Sequence, residues 1–90
     1  MSQIRVTEAS QLLEIKSEPY VIYSRRGYQP VIDVESVHTG ETGYLVITAQ
    51  SLSDPLHEFA VGNDGNLTGI VIIVRKESKD RMSPYVVTCQ

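Results

Sequence analysis

From residue 20 onward, the chain is a series of short runs in which apolar and polar side chains alternate. A period of two is typical of β-strands, because successive side chains of a strand point to opposite faces. Glycine, proline and Asp/Asn residues separate the runs and indicate tight turns. We predict no helix after Pro19. The strands predicted from this pattern are residues 20–23, 31–37, 44–50, 56–61, 67–74 and 85–89.

One helix is predicted, before the strands begin. Ala9, Leu12 and Leu13 have the i, i+3, i+4 spacing of one helical face. The sequence therefore predicts a short helix over residues 7–16. Pro19 sets its limit, because the residue before a proline is disfavoured in the α conformation.

The length and the order of these elements predict the fold class. Ninety residues are enough for one domain, since single domains mostly have ~50 to 200 residues. We expect residues 1–90 to form a single small, mainly β domain, with the helix at 7–16 and a barrel at 20–89. In this prediction a strongly bent, antiparallel sheet of five or six strands closes into the barrel, because closure removes exposed strand edges. An open ferredoxin-like sandwich is the alternative, but it needs a second long helix.

The charge balance limits the possible partners. The chain has 8 Lys and Arg against 11 Asp and Glu, which gives a formal net charge of −3. The whole protein therefore has no positive field that attracts a polyanion, and nucleic-acid binding requires a local cationic patch. A single cysteine, Cys89, forms no disulfide within the chain, and neither a secretory signal pattern nor an apolar segment of membrane length is evident. We expect a cytoplasmic protein.

The motifs of the common enzyme classes are absent from the sequence. It has no phosphate-binding loop, no His-Glu-x-x-His pair, no paired cysteines and no Gly-x-Ser-x-Gly turn. His57 and Glu58 are adjacent, and on the strand predicted there they would point to opposite faces. We therefore expect no enzymatic activity, no cofactor and no metal site.

Two clusters combine residue types that bind nucleic acid. The first contains Tyr20, Tyr23, Arg25, Arg26 and Tyr28. Aromatic rings beside guanidinium groups allow bases to stack while phosphates are neutralised. The alternative is an ordinary solvated turn between tyrosines that pack in a small β-protein.

The second cluster surrounds the last turn and contains Arg75, Lys76, Lys79 and Arg81. Glu77 and Asp80 dilute its positive charge. Its alternative interpretation is a charged hairpin tip that keeps the loop in water.

The order of a helix followed by short strands, with the longest β-rich segment late and a brief last strand, resembles the Sm-like barrel of RNA-binding ring proteins. The resemblance spans residues 7–89. It implies that His38 and Thr39 in one loop, and Lys79 and Arg81 in another, face a central pore. Residues 36–40 stand where the family has its Asp-x-hydrophobic-x-Asn signature, and they lack the Asp and the Asn.

The resemblance also implies a ring in which the late strand of one subunit pairs with the last strand of the next. Residues 70–74 are apolar on both faces, and such a strand needs cover on both sides. A ring or a dimer would supply that cover. We expect a homo-oligomer, and the predicted interface residues are Ile70, Ile72, Val74, Tyr85 and Val87.

These observations together predict a non-enzymatic, oligomeric binding module for single-stranded RNA. Its affinity would come from cationic loops and aromatic stacking. The predicted nucleic-acid-binding residues are Tyr23, Arg25, Arg26, Tyr28, His38, Thr39, Lys79 and Arg81.

Two other functions remain open. One is a protein-interaction or inhibitor module that binds no nucleic acid, in which Asp33 and Glu35, on the exposed face of a strand, contact a basic partner. The other is an OB-like barrel that binds single-stranded DNA. In that fold the helix lies between the third and fourth strands, whereas the sequence predicts it at the N-terminus.

Overall fold

The fold is mainly β with one helix, as the sequence predicts. A computed structural model describes residues 2–80 and 82–89. Its elements are β1 (Ser2–Gln3), β2 (Gln11–Ile15), β3 (Tyr20–Ser24), β4 (Gly27–Ser36), β5 (Thr42–Val46), α1 (Gln50–Val61), β6 (Val71–Lys76) and β7 (Tyr85–Cys89).

The strands belong to one sheet in the order β1-β5-β4-β2-β6-β7, and β3 pairs with β4 beside this path. The β1–β5 pair is parallel and the other pairs are antiparallel. The two ends of the path, β1 and β7, do not pair with each other within the described residues. The sheet is therefore open, and the prediction of a closed barrel is wrong.

The prediction of an N-terminal helix at residues 7–16 is also wrong, because this segment contains a loop and then β2. Leu13 and Ile15 are fully buried, whereas Leu12 and Glu14, which alternate with them, are half-buried. This alternation is that of a strand. β2 pairs with β4 on one side and with β6 on the other, and these two ladders outweigh a helical spacing of three apolar residues.

The helix of the structure is α1, in a segment where the sequence predicts a turn and then a strand at 56–61. Leu52 and Leu56 are buried and Phe59 packs beside them, at the i, i+4, i+7 spacing of a helical face. Pro55, which indicates a turn in the sequence, lies inside the helix. The burial of this face stabilises α1 despite the backbone hydrogen bond that a proline removes.

One hydrophobic core contains the inward side of the sheet and the buried side of α1. Ser51 at the start of α1 accepts a hydrogen bond from the backbone N–H of Tyr85 at 3.0 Å, which joins the helix to β7. The buried members of the core are Leu13, Ile15, Ile32, Val34, Leu45, Ile47, Leu52, Leu56, Leu67, Ile72 and Val74.

Two of the five predicted interface residues lie inside this core. Ile72 and Val74 are fully buried within the single chain, and β6 pairs with β2 on one side and β7 on the other. β6 therefore has no free edge for a second copy, which corrects the assignment of these two residues to an interface. Ile70, Tyr85 and Val87 are half-buried and pack against the same core.

The carboxylate of Glu18 ties the β2–β3 connection to the segment before β6. It accepts hydrogen bonds from the backbone N–H of Leu67 at 2.9 Å, the backbone N–H of Thr68 at 2.8 Å and the Thr68 hydroxyl at 2.6 Å. These bonds, led by the one from the Thr68 hydroxyl, lower the pKa of Glu18. The ionised form is thus favoured in the folded chain.

The first prediction concerns the pH dependence of this contact. Because the pKa of Glu18 is lower in the folded than in the unfolded state, its contribution to stability is present above the ordinary glutamate pKa and is lost as the pH falls through the lowered value. We expect Glu18→Gln to be less stable than the wild type at neutral pH, with a difference that shrinks in acid. Thermal unfolding across a pH series measures it.

Glu58→Gln is the matched control, because Glu58 is exposed on α1. It removes the same charge and should change the unfolding temperature little at any pH. A destabilisation by Glu18→Gln that stays constant from neutral to acidic pH would contradict the role given to the ionised carboxylate.

Gly43 allows β1 to lie against β5. It is opposite Ser2 in the parallel ladder, and a Cβ atom there would overlap the backbone oxygen of Ser2 and lie 2.8 Å from side-chain atoms of Ile4. A side chain at this position must therefore displace β1 or the residue that follows it.

The second prediction follows from this contact. Gly43→Ala should destabilise the fold by about 1–3 kcal/mol, the usual cost of overpacking a tight site. Gly62→Ala is the control, because Gly62 has φ −73° and its nearest neighbours would be 3.7 Å from a new Cβ. Urea unfolding measures both variants. An equal effect of the two substitutions would show that the contact with β1 is not what requires glycine.

Candidate functional site

An open cleft of about 1090 Å³ lies where the sheet fails to close. Its lining contains residues from both ends of the sheet path. One group is Leu45 and Val46 of β5 with residues 3–7, which end β1 and follow it, and the other is Lys76 of β6 with Tyr85 of β7. The turn between β3 and β4 borders it, and residues at the start of α1 complete the lining. The site is therefore a consequence of the sheet topology.

The charge of the cleft is the reverse of the charge of the chain. Arg5, Arg25, Arg26 and Lys76 line it, whereas none of its lining residues is Asp or Glu. Half of the 8 Lys and Arg of a chain with net charge −3 thus surround one concave surface. Cations around a cleft raise the local concentration of anionic ligands.

The two arginines of the cleft occupy a tight turn between β3 and β4. Ser24 and Gly27 pair across it, and Gly27 adopts φ +93°, a conformation that side chains other than glycine rarely adopt. The Ser24 hydroxyl accepts a hydrogen bond from the backbone N–H of Arg26 at 3.2 Å. These contacts hold Arg25 and Arg26 at a fixed end of the hairpin.

An exposed aromatic pair lies next to this turn. Tyr23 and Tyr28 are cross-strand partners, each 78% exposed, with ring centroids 5.2 Å apart and an interplanar angle of 64°. Tyr28 lines the cleft and Tyr23 does not. An edge-on pair of this kind is attractive and supports the Tyr28 ring from one side. Tyr28 therefore presents a supported, solvent-exposed ring at the mouth of the cleft.

Another part of the cleft wall is formed by Lys76 and Tyr85, where β6 ends and β7 begins. The Lys76 ammonium lies 5.6 Å from the centroid of the Tyr85 ring. The backbone N–H of Lys76 donates to the carbonyl of Thr7 at 2.7 Å, which joins the end of β6 to the segment after β1. The cation on this wall is thus positioned by an aromatic ring and by the backbone.

The structure brings together half of the eight residues predicted to bind nucleic acid. Arg25, Arg26 and Tyr28 line the cleft, and Tyr23 contacts Tyr28 at its rim.

Three of the other four predicted residues are not part of this surface. His38 and Thr39 lie in the loop after β4, at the opposite end of that strand from Tyr28. Lys79 is exposed and lies 3.8 Å from Glu8, outside the lining. Arg81 lies outside the described residues.

Sequence reasoning missed Arg5, and it placed Tyr85 at an oligomer interface. Arg5 is a single cation in an N-terminal segment without periodicity, so no local signal identifies it. It reaches the cleft because the segment after β1 crosses from β5 towards β6, where Ile4 pairs with Tyr44 and Thr7 with Lys76.

The acidic residues considered as contacts for a basic protein are less accessible than the sequence indicates. Asp33 and Glu35 are half-buried. The Tyr20 hydroxyl donates a hydrogen bond to the Asp33 carboxylate at 2.6 Å, and this bond raises the pKa of Tyr20. Asp33 is therefore already occupied by a contact within the chain.

Other features of the described residues add no second site. Within residues 2–80 and 82–89, no group of three His, Cys, Asp or Glu side chains is arranged to hold a metal ion. No helix in the same ranges has the length and apolar character needed to cross a membrane. A smaller cleft of about 350 Å³ lies between Glu18, His57 and Leu67.

Comparison with family models, curated proteins and solved structures gave no match for the chain. The proposals below therefore depend on the cleft and on the strand arrangement alone.

Proposed function

We propose that the chain is a binding module for single-stranded nucleic acid, RNA or DNA, which lies in the cationic cleft and stacks a base on Tyr28. The observation that carries the proposal is the lining itself. Among the described residues, four cationic side chains and no Asp or Glu line the cleft, in a chain whose overall charge is negative.

A single strand needs both properties of this surface. Its phosphates require cations along a groove, and its unpaired bases gain about 1–3 kcal/mol each from stacking on an aromatic ring. The lining of the cleft provides the cations Arg25, Arg26 and Lys76 together with the exposed ring of Tyr28. A duplex buries the faces of its bases in its own stack and gains nothing from Tyr28.

The strand order supports the proposal independently. Without the two-residue β1 and the side strand β3, the antiparallel path is β5-β4-β2-β6-β7, and α1 lies between β5 and β6. Counted along the chain, β5 and β6 are the third and fourth of these five strands, so the helix lies between the third and the fourth, and we propose an OB-like arrangement rather than an Sm-like one. OB folds are partly open and bind oligonucleotides on their second and third strands and on the loops beside them. The corresponding parts of this chain are β4, β5, the β3–β4 turn and the end of β6, which border the cleft.

The protein-interaction module is the outcome that would replace this proposal. If the chain binds neither an RNA nor a DNA oligonucleotide of mixed sequence at low salt, the nucleic-acid proposal is wrong and the protein-interaction module replaces it. Parallel titrations with RNA and DNA of the same sequence also distinguish the two nucleic acids, because only RNA offers the 2′-hydroxyl.

The third prediction tests the cations. Arg25→Ala combined with Arg26→Ala should weaken oligonucleotide binding and reduce the slope of log K against log salt by about 1.4, since each phosphate contact to a single strand contributes about 0.7. Fluorescence anisotropy over a salt series measures the slope.

The matched control is Lys16→Ala with Lys79→Ala, which removes two positive charges outside the lining. Both residues are exposed. We expect this double variant to keep the wild-type slope. Equal losses in the two double variants would mean that binding depends on net charge and not on the cleft.

The fourth prediction tests the aromatic ring. Tyr28→Ala should cost about 1–3 kcal/mol of binding free energy, whereas Tyr28→Phe should bind as the wild type does, because stacking needs the ring and not the hydroxyl. The same anisotropy titration measures both. A loss in Tyr28→Phe as large as in Tyr28→Ala would assign the role to the hydroxyl and contradict stacking.

A further inference from the structure

The outer edge of β3 has no strand partner within the described residues. β3 pairs with β4 on one side and lies beside the main path of the sheet. Its sequence, YVIYS, contains neither a charged residue nor a proline. Its register with β4 continues from Tyr20 to Ser24 without a bulge. Charges, prolines and bulges are the usual protections of an edge strand, and an edge without them pairs readily with another strand.

The backbone groups on this edge belong to Val21 and Tyr23. Val21 is opposite Pro30, which has no N–H, and the carbonyl of Pro30 accepts a hydrogen bond from Ile47 at 3.0 Å on the other side of β4. Val21 is therefore in a pair without hydrogen bonds. Because such pairs alternate with hydrogen-bonded ones in an antiparallel ladder, Val21 and Tyr23 both direct their N–H and C=O groups away from β4.

Exposed apolar side chains accompany these backbone groups. Seven large hydrophobic residues are exposed in the described parts of the chain, and four of them lie between residues 20 and 28. Val21 is 60% and Tyr23 78% exposed. An apolar strand edge with unpaired backbone groups is the surface that strand addition uses.

We propose that this edge pairs with β3 of a second copy of the chain, antiparallel, about a twofold axis at Ile22. In this register Val21 of each copy is opposite Tyr23 of the other. In each of these two Val21–Tyr23 pairs, the outward N–H and C=O groups of the two residues form two backbone hydrogen bonds. The tyrosine ring of each pair also contacts the β-branched valine side chain across the strands. The strand is thus complementary to itself, as an interface with twofold symmetry requires.

Charge at the two ends of β3 favours a second copy over an unrelated strand. Arg25 and Arg26 follow the strand and Glu18 precedes it. Antiparallel pairing about Ile22 brings the cationic turn of each copy next to Glu18 of the other. The Glu18 carboxylate is exposed and accepts its hydrogen bonds within the chain from uncharged N–H and O–H donors, so it keeps its negative charge. Opposite charges therefore meet at both ends of the interface, although each chain has a net charge of −3.

The fifth prediction tests the association of the full chain. We expect sedimentation velocity over a dilution series to show an equilibrium between monomer and dimer. Val21→Lys should raise the dimer dissociation constant at least about tenfold, because by symmetry it removes two apolar pairs and brings a charge to each end of the contact. Val61→Lys is the matched control on α1, where Val61 is 68% exposed, and should dimerise as the wild type does. Circular dichroism confirms that both variants are folded.

Amide hydrogen exchange identifies the edge itself. Dimer formation should slow the exchange of the Val21 and Tyr23 amides, and should leave Ile22, which already bonds to β4, unchanged. A chain that stays monomeric at all concentrations overturns the proposal. A dimer that Val21→Lys does not weaken, with unprotected Val21 and Tyr23 amides, overturns it as well, because the interface is then elsewhere. Neither outcome depends on whether the cleft binds nucleic acid.

Discussion

The pairing of β4 with three other strands is the constraint on which the rest of the structure depends. β4 has ten residues, and it pairs with β5 on one side and with β2 and β3, one after the other, on the opposite side. Val31 and Ile32 are adjacent and both fully buried, so the strand is covered on both faces at this point. β2 then carries the ladder on to β6 and β7. Every described strand except β7 is thus at most two ladders from β4.

The same strand separates two surfaces that the sequence places only a few residues apart. Tyr28 begins β4 and lies at the cleft, whereas His38 follows its end. The open sheet then leaves a gap between β5 and the end of β6, and cations from three separate parts of the chain line it. Glu18 and Asp33 do not line the cleft, and hydrogen bonds hold them elsewhere: Glu18 with Leu67 and Thr68, and Asp33 with Tyr20. A positive cleft in an acidic chain is therefore a result of where the sheet places its edges.

The helix shows where local signals were insufficient. Ala9, Leu12 and Leu13 have a helical spacing, but Leu12 and Leu13 lie in a strand that pairs on both sides, and the two ladders satisfy more backbone groups than a short helix would. The α1 segment carries its own helical spacing in Leu52, Leu56 and Phe59. Pro55 led to the prediction of a turn at this segment, because a proline inside a helix removes a backbone hydrogen bond. The burial of the apolar helix face offsets that loss here, and this burial is not evident from the local sequence.

The sequence by itself determined the mainly β class, most of the strand segments after residue 20, and the aromatic and cationic turn at 23–28. Each of these depends on neighbours within a few residues, through side-chain alternation or turn chemistry. Only the tertiary structure decided the open sheet, the position of the helix, and the joining of Arg5 and Lys76 to that turn. These three features have the same physical reason. Strand pairing acts between residues that are far apart in the chain, and the choice among alternative ladders depends on which apolar faces can be buried together.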